Sequence, residues 1–241
     1  MAGSRDQSTL HNRVLAHVGP AIVAGAHPPG SVLTLEALEH DYGVSRTVVR
    51  EAVRVLQSMR LVSSRPRVGV TVLPAAEWSV FDPQLIRWRL AGNDRSAQLR
   101  SLTELRAAVE PPAAAAAARR AKPLQRQRLM ELSDHMQDLG RRGELTEFMR
   151  ADIEFHRLVL DQSGNEMFAG LADVVAEVLA GRAEHDLMPS HPRPEALRLH
   201  SHVATAVRDG LPQVAESAMH GICAEVVAAL DRVTGGGDET G

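Results

Sequence analysis

Residues 43–72 read GVSRTVVREAVRVLQSMRLVSSRPRVGVTV, and within them a helical hydrophobic period gives way to a strand period. Apolar residues recur every three to four positions over 46–60, which predicts an amphipathic helix with Ser45 as its N-cap. LVSSRPRVGVTV, residues 61–72, predicts two short strands around a turn at Arg65–Gly69. A capped helix followed by a basic hairpin is typical of a winged helix-turn-helix.

The residues before this stretch complete the same module. Apolar positions over 9–25 follow helical spacing, and HPPG at 27–30 ends that helix because proline cannot continue it. Thr34 is placed to cap a short second helix, which Gly43 ends with a tight turn. We therefore predict a winged helix-turn-helix domain over residues 1–75.

The distribution of charge points to nucleic acid although the total does not. The whole chain has a net charge of −3, but residues 1–75 hold eight arginines and five acids, and residues 45–67 hold six arginines and one acid. A basic segment on an acidic body indicates a nucleic-acid-binding module. The alternative from charge alone is a solvated basic helix.

Several basic and hydroxyl side chains of this segment are candidate DNA contacts. Arg46 and Arg50 are four residues apart and share a helix face, and arginine can bond guanine O6 and N7 with two parallel hydrogen bonds. Hydroxyl groups and the helix N-terminus suit phosphate oxygens, whereas arginines of the hairpin suit the neighbouring minor groove. The full set is Ser45, Arg46, Thr47, Arg50, Arg54, Arg65 and Arg67.

The rest of the chain is predicted to be helical. Helical stretches run over 82–91, 96–120, 123–140, 144–162, 166–187, 194–209 and 212–233, and Pro111-Pro112 should kink or split the second of them. We assign 76–93 to a linker and connecting helix and 94–234 to an all-helical effector-binding and dimerisation domain. The predicted fold class is mainly α, a winged helix-turn-helix followed by a helical bundle.

Composition excludes several other classes of protein. No apolar run approaches the ~20 residues that span a bilayer, and the N-terminus lacks the apolar core of a secretory signal. The single cysteine, Cys223, excludes an intrachain disulfide framework and suits a reducing compartment. We expect a cytoplasmic protein that does not enter a membrane.

The order of elements and the string at 43–72 resemble the GntR family of bacterial repressors. LTELRAAVEP at 102–111, DIEFHRLVLDQSGN at 152–165 and LHSHVATAVRDG at 199–210 resemble its FadR-like branch, whose helical ligand-binding domain is called FCD. EWSVFDPQLIRWRLAGND at 77–94 looks like branch members that control sugar-acid operons. One departure is clear, because the second helix of the family usually starts with Glu-Arg-Glu and here reads Leu35-Glu36-Ala37.

Asp152, His156 and His200 form a candidate ligand set. The first two are four residues apart on one helix face, and a carboxylate with two imidazoles suits a divalent metal such as zinc. By itself such spacing is also common in surface pairs and core histidines. The resemblance implies an aspartate and three histidines, but the fourth position falls on Ile222, which cannot ligate. Two alternatives remain open: a three-ligand metal site with an open position, or direct bonds from these side chains to the effector.

Arg106 is the other candidate effector-binding residue. The resemblance places it on the helix that lines the FCD cavity, where an arginine can hold a carboxylate through two parallel bonds. The alternative is an intrahelical ion pair with Glu110 at i+4, and both can be true.

These observations favour a homodimeric repressor of operator DNA that a small carboxylate, such as the sugar acid gluconate, releases. One alternative is an activator or repressor of the same fold that responds to another carboxylate or to an acyl ligand. A metal-dependent helical-bundle enzyme built on Asp152, His156 and His200 is the other, and it leaves 43–72 unexplained.

Overall fold

The computed structural model describes residues 3–65, 69–184 and 192–235, and the chain divides into two compact units, Met1–Arg95 and Ser96–Gly241. Among the described residues, no helix is both long enough and apolar enough to cross a membrane.

The first unit is a winged helix-turn-helix, as the sequence predicts. Its helices and strands are α1 (Gly3–Val23), β1 (Val32–Leu33), α2 (Leu35–Tyr42), α3 (Arg46–Ser58), β2 (Val62–Arg65), β3 (Gly69–Val72) and α4 (Pro83–Ala91). The strands form an antiparallel sheet in the order β1-β3-β2, in which Val62 pairs with Val72 and Val32 pairs with Thr71. The two-residue strand β1 was not predicted, because it is too short to show alternation.

Local chemistry explains the helix-turn-helix. The Thr34 hydroxyl accepts a hydrogen bond from the Ala37 N–H at 3.1 Å and caps α2. Gly43 ends α2 in the left-handed region, with φ of 61°, which glycine adopts without strain. Val49 and Leu56 of α3 are buried in the same core as Val18 of α1. Burial of this apolar face leaves the arginine face of α3 in solvent.

Residues 76–93 pack against this core. The Trp78 indole N–H donates to the Leu73 carbonyl at 3.0 Å, and Leu85 of α4 is fully buried. Helix α4 lies on α1 so closely that a Cβ atom at Gly19 would stand 2.2 Å from the ring of Trp88. The stretch predicted as a linker and connecting helix therefore lies within the first unit.

The second unit is a bundle of helices. They are α5 (Arg95–Arg120), α6 (Pro123–Arg142), α7 (Leu145–Gln162), α8 (Glu166–Ala169), α9 (Ala172–Glu184), α10 (Pro194–Asp209) and α11 (Pro212–Gly235). Helix α6 packs against both α7 and α10, α9 packs on α7, and α11 packs on α10. This arrangement brings α7 and α10 together around a core in which Phe155 and Val203 are fully buried.

Two predictions for this unit can be compared with the structure. Pro111-Pro112 was expected to kink or split the helix; the split does not occur, since α5 continues from Arg95 to Arg120. The two prolines line a surface groove with Ala107 and Ala108, whose carbonyls lose their helical N–H partners, so water in the groove can bond these carbonyls. The stretch predicted as one helix over 166–187 is two helices, since α8 ends at Ala169 with Gly170 as its C-cap and α9 begins at Ala172. Residues 185–187 lie outside the described residues.

Candidate functional site

The exposed face of α3 carries most of the predicted DNA contacts. Arg46, Thr47 and Arg50 are exposed on the side opposite the buried valines of the helix. Ser45 stands at the N-cap position and is exposed, and within the described residues its side chain makes no capping bond, so its hydroxyl is not used by the helix. The first turn of α3 therefore offers arginine and hydroxyl groups to solvent.

The other predicted contacts lie further along the module. Arg54 is exposed and forms an ion pair with Glu51, one turn away on α3. Arg65 is exposed at the end of β2. Arg67 lies outside the described residues.

Arg46 lies against two acids of α2. Its Nη2 is 3.0 Å from Glu36 Oε1, and its Nε is 3.8 Å from Glu39 Oε1. A backbone hydrogen bond and the charge of Arg46 lower the pKa of Glu36, so this carboxyl group stays ionised. Glu36 is also where the resemblance expects an arginine, so an acid that repels phosphate stands beside the first arginine of α3.

A second cluster is buried in the helical bundle, where Asp152 and His156 of α7 meet His200 of α10. His200 Nε2 is 3.0 Å from Asp152 Oδ1 and 3.4 Å from His156 Nε2. One ligand atom from each of the three residues lies within 4.8 Å of the other two, and all three residues are buried. The helical spacing and the packing of α10 beside α7 bring these predicted residues together.

Neighbouring acceptors hold both imidazole rings in one orientation. His156 Nδ1 is 2.5 Å from Glu110 Oε2, and His200 Nδ1 is 2.7 Å from the Ala196 carbonyl oxygen. Each ring therefore turns its Nε2 atom toward Asp152. Phe155 packs edge-on against both rings, with centroid distances of 5.8 Å and 5.2 Å, and restricts their rotation.

Arg106 of α5 joins this cluster, and it also forms the ion pair with Glu110. Its Nε donates to Glu110 Oε1 at 2.5 Å, while its Nη2 is 3.5 Å from His156 Nε2. Both side chains are 1% exposed. The sequence suggested Glu110 only as a partner for Arg106, through the i+4 spacing; nothing in the sequence indicated its contact with His156.

The opposite charges of the cluster favour the ionised forms of one another's side chains. Burial acts to raise the pKa of Glu110, but Arg106 and His156 outweigh it and lower that pKa to about 2. Burial acts to lower the pKa of His156, but Glu110 and Asp152 raise it to about 9. Burial opposes ionisation of Asp152 as well, yet its contacts with His156 and His200 hold its pKa well below the usual range. The cluster is therefore a buried network of charged groups.

Some polar atoms of this network are buried but not bonded. Among the described residues, Arg106 Nη1, Asp152 Oδ1 and His156 Nδ1 have no hydrogen bond of good geometry, although His156 Nδ1 makes the close ionic contact with Glu110 given above. Thr103 Oγ1, three residues before Arg106 on α5, is also buried without a hydrogen bond. Buried polar groups without partners are rare in folded proteins and indicate a missing ligand, ion or water. Arg106 Nη1 can donate only to an acceptor such as a carboxylate oxygen.

The donor set fits a divalent metal. Two imidazole Nε2 atoms and a carboxylate oxygen form the three-ligand set of an open zinc site, and Asp152 Oδ1 has a lone pair free for an ion. Ile222 is buried in the hydrophobic core, and His220 is exposed. Within the described part of the chain, the set therefore stays at three ligands, which leaves one position for an oxygen of another molecule.

The chain matches two family models. One is described as FCD domain and matches residues 101–224; the other, described as bacterial regulatory proteins of the gntR family, matches residues 10–72. The first covers the residues of the buried cluster, and the second covers α3 and both strands of the hairpin.

Two relatives are transcriptional regulators. The galactonate operon transcriptional repressor of Escherichia coli (strain K12) is 27% identical over 225 residues, which cover 92% of this chain and 97% of that protein. The HTH-type transcriptional regulator LutR of Bacillus subtilis (strain 168) is 30% identical over 156 residues, which cover 64% of this chain and 68% of that protein.

Two solved structures share the fold. McbR/YncC of E. coli has a TM-score of 0.54 at 20% identity, covering 93% of this chain and 98% of that one. The GntR protein of Streptococcus agalactiae has a TM-score of 0.50 at 24% identity, covering 94% and 99%.

Proposed function

Because the chain belongs to the GntR family of bacterial regulatory proteins with an FCD domain, we propose that it is a repressor whose operator binding a small carboxylate relieves. It is a transcriptional regulator and not an enzyme, since both families and the relatives named above are regulators.

Helix α3 would read the operator. Its exposed first turn presents Arg46 and Arg50 on one face, with the length and charge to reach base edges in a major groove. One such module buries too little surface for tight binding alone, so we expect a homodimer on two half-sites, held by the helical unit. Arg46→Ala or Arg50→Ala should cost about 1–3 kcal/mol at one operator position and relax specificity there.

The effector would bind at the buried cluster. The observation that carries this proposal is Arg106 Nη1, a buried cationic donor without a partner among the described residues, beside the Asp152–His156–His200 group. A buried donor of this kind favours an anion, because a carboxylate oxygen supplies the missing acceptor without leaving a new unpaired charge. Thr103 Oγ1, also buried and without a hydrogen bond, suits a hydroxyl of the same ligand.

The proposed effector is a sugar acid. A relative that aligns over 92% of this chain is a galactonate operon repressor, and an aldonate such as galactonate or gluconate combines one carboxylate with several hydroxyls. That composition matches the cationic donor and the acidic acceptor of the buried cluster, and Thr103 lies about one helical turn from Arg106 on α5. An acyl ligand would bring an apolar chain to these same polar groups.

A divalent metal such as zinc would be held by Asp152, His156 and His200. When bound, the ion supplies positive charge and an open coordination position for a carboxylate or hydroxyl oxygen. Arg106 would orient the carboxylate, and Glu110 would hold Arg106. Asp152→Ala should lower zinc content and effector affinity together, whereas the alternative of direct bonds to the effector predicts that only effector affinity falls.

Release of DNA follows from linkage between the two sites. A ligand that weakens operator binding by a given factor must itself bind the DNA-bound protein more weakly by that factor. The effector therefore shifts the dimer toward arrangements whose two recognition helices no longer match two half-sites.

A ligand panel tests the proposal. Thermal-shift measurements on the full chain would compare gluconate, galactonate, other small carboxylates and fatty acyl ligands, each with and without zinc. We expect an aldonate to raise the melting temperature of the wild type but not of Arg106→Met. The matched control is Arg128→Met, which removes an exposed arginine from its pair with Glu154. Stabilisation by acyl ligands alone would favour the acyl-responsive alternative.

A further inference from the structure

Glu110 occupies the centre of the buried network although it belongs to no candidate ligand set. It is 0% exposed, and each of its oxygens has one close neighbour, while Arg106 Nη2 also donates to Oε2 at 3.4 Å. Oε1 accepts from Arg106 Nε at 2.5 Å, and Oε2 lies 2.5 Å from His156 Nδ1. A single carboxylate thus connects the proposed effector-binding arginine with a proposed metal ligand.

The contact with His156 decides which ring nitrogen carries a proton. An ionised carboxylate has no proton of its own, so at a separation of 2.5 Å the proton between the two groups belongs to His156 Nδ1, and Nε2 is the nitrogen that gives up its proton when a metal binds. The Ala196 carbonyl imposes the same choice on His200. Metal-binding histidines usually donate their second ring N–H to a carboxylate or a carbonyl, which fixes the tautomer and the ring orientation.

We propose that Glu110 is a positioning residue that keeps a proton on His156 Nδ1 and Nε2 directed at Asp152 and His200, so that Nε2 is the nitrogen free to bind zinc and zinc binding requires a residue outside the ligand set. This inference rests on the proposed metal role of the cluster. It adds Glu110 and its mode of action to that role.

Because Arg106 contacts Glu110, a neutral substitution of Glu110 has one defined effect on His156. Glu110→Gln keeps the volume of the side chain and replaces one oxygen with an amide nitrogen. Arg106 can only donate, so it claims the remaining oxygen. The amide NH₂ then faces His156 Nδ1, which must become the acceptor, so the ring loses its Nδ1 proton and keeps the proton on Nε2. A protonated Nε2 cannot ligate a metal.

The experiment measures zinc affinity and the His156 tautomer on the full chain. Zinc affinity comes from competition with a chromophoric chelator, and the tautomer comes from NMR of protein labelled with ¹⁵N-histidine, assigned with a His156→Gln variant. We expect Glu110→Gln to bind zinc about 10–100-fold more weakly. The downfield Nδ1–H signal of His156 should disappear at the same time. The matched control is Glu154→Gln, in which an exposed carboxylate loses the arginine partner Arg128 and both readouts should stay unchanged.

A double variant separates positioning from simple support of the fold. In Arg106→Met/Glu110→Gln no arginine claims the amide oxygen, so that oxygen can accept from His156 Nδ1–H again. We expect zinc affinity to recover at least about tenfold over Glu110→Gln. If Glu110 only supported the fold, the double variant would not regain zinc affinity, and the protonated nitrogen of His156 would not change.

Each outcome decides the inference. Unchanged zinc affinity and a retained Nδ1–H signal in Glu110→Gln would overturn it, and so would a loss of affinity that the double variant does not restore. If the wild type binds no zinc, the proposed metal role fails, and the NMR of the metal-free proteins still tests the positioning of His156. If Glu110→Gln does not fold, the wild-type spectrum and the double variant decide, since absence of the Nδ1–H signal in the wild type contradicts the inference.

Discussion

The buried pair of Arg106 and Glu110 allows a stability prediction with a defined size. Arg106→Met removes a cation that is 1% exposed and leaves the Glu110 carboxylate buried. Breaking a buried ion pair by removing one partner costs about 3–5 kcal/mol. Glu110 retains His156 as a partner at 2.5 Å, so we expect a loss at the lower end, about 3 kcal/mol.

Two comparisons show whether burial is the cause. The pair of Arg128 and Glu154 has a similar separation of 2.7 Å, but its side chains are 48% and 51% exposed. Arg128→Met should therefore cost only about 0.2–1 kcal/mol. Arg106→Met/Glu110→Gln removes both charges of the buried pair and should be more stable than Arg106→Met alone, because no buried carboxylate is left without its arginine.

Urea denaturation followed by two probes shows which of the two structural units loses stability. Trp78 and Trp88 are the two tryptophans of the chain and both lie in the first unit, so fluorescence follows that unit. Far-UV circular dichroism follows the helical bundle more strongly. A chelator in every sample removes the stabilisation that a bound metal adds. With a slope of about 2 kcal/mol per M, a loss of 3 kcal/mol lowers the dichroism midpoint by about 1.5 M.

The reasoning fails if Arg106→Met lowers that midpoint no more than Arg128→Met does. It also fails if the fluorescence transition shifts equally, because the damage would then not be confined to the helical unit.

Three other substitutions test separate parts of the account. Glu36→Gln should free Arg46 and remove an acid from the proposed DNA-facing surface. Affinity for non-specific duplex should rise several-fold, and the slope of log affinity against log salt should steepen by up to about 1; unchanged binding isotherms would contradict this. Gly19→Ala places a Cβ atom 2.2 Å from the ring of Trp88 and should destabilise the first unit by about 1–3 kcal/mol, with a changed fluorescence spectrum. A wild-type melting temperature and spectrum would show that α4 does not pack on α1 as described. Ile222→His restores the fourth ligand that the family resemblance expects and should raise zinc affinity in the chelator competition, whereas an unchanged affinity would show that position 222 does not face the cluster.

The sequence predicts the fold well wherever the signal is local. Helix α3 ends within two residues of its predicted bound, because its apolar period, its N-cap and the strand period that follows are all adjacent in the chain. Thr34 as a cap and Gly43 as a left-handed turn depend on the same short-range chemistry. The prediction fails where a neighbour elsewhere in the chain decides. Strand β1, which is too short to show alternation, is defined by its pairing with β3.

In the candidate site, too, the sequence reveals local spacing but not contacts between distant segments. The spacing of Asp152 and His156 is a property of one helix and is read directly from the sequence. His200, 44 residues after His156, has no such local spacing; ligand chemistry and the family resemblance suggested it, and its place depends on how α10 packs on the bundle. Glu110 was visible only as the i+4 partner of Arg106, because its contact with His156 joins α5 to α7 across the core.

The contact between Arg46 and Glu36 was missed for a similar reason. The sequence showed that an acid stands where the family usually has an arginine. It did not show that this acid lies 3.0 Å from an arginine of the next helix, because that distance depends on the angle of the turn between α2 and α3.

The central claim is that a small carboxylate bound at Arg106 weakens operator binding. Fluorescence anisotropy of a labelled operator, obtained by selection from random duplexes, measures this claim directly when the full chain is titrated with galactonate or gluconate in the presence of zinc. The account predicts that an aldonate lowers operator affinity of the wild type at least about fivefold, and that Arg106→Met binds the operator but no longer responds. Equal operator affinity with and without every aldonate, or an undiminished response in Arg106→Met, would contradict it.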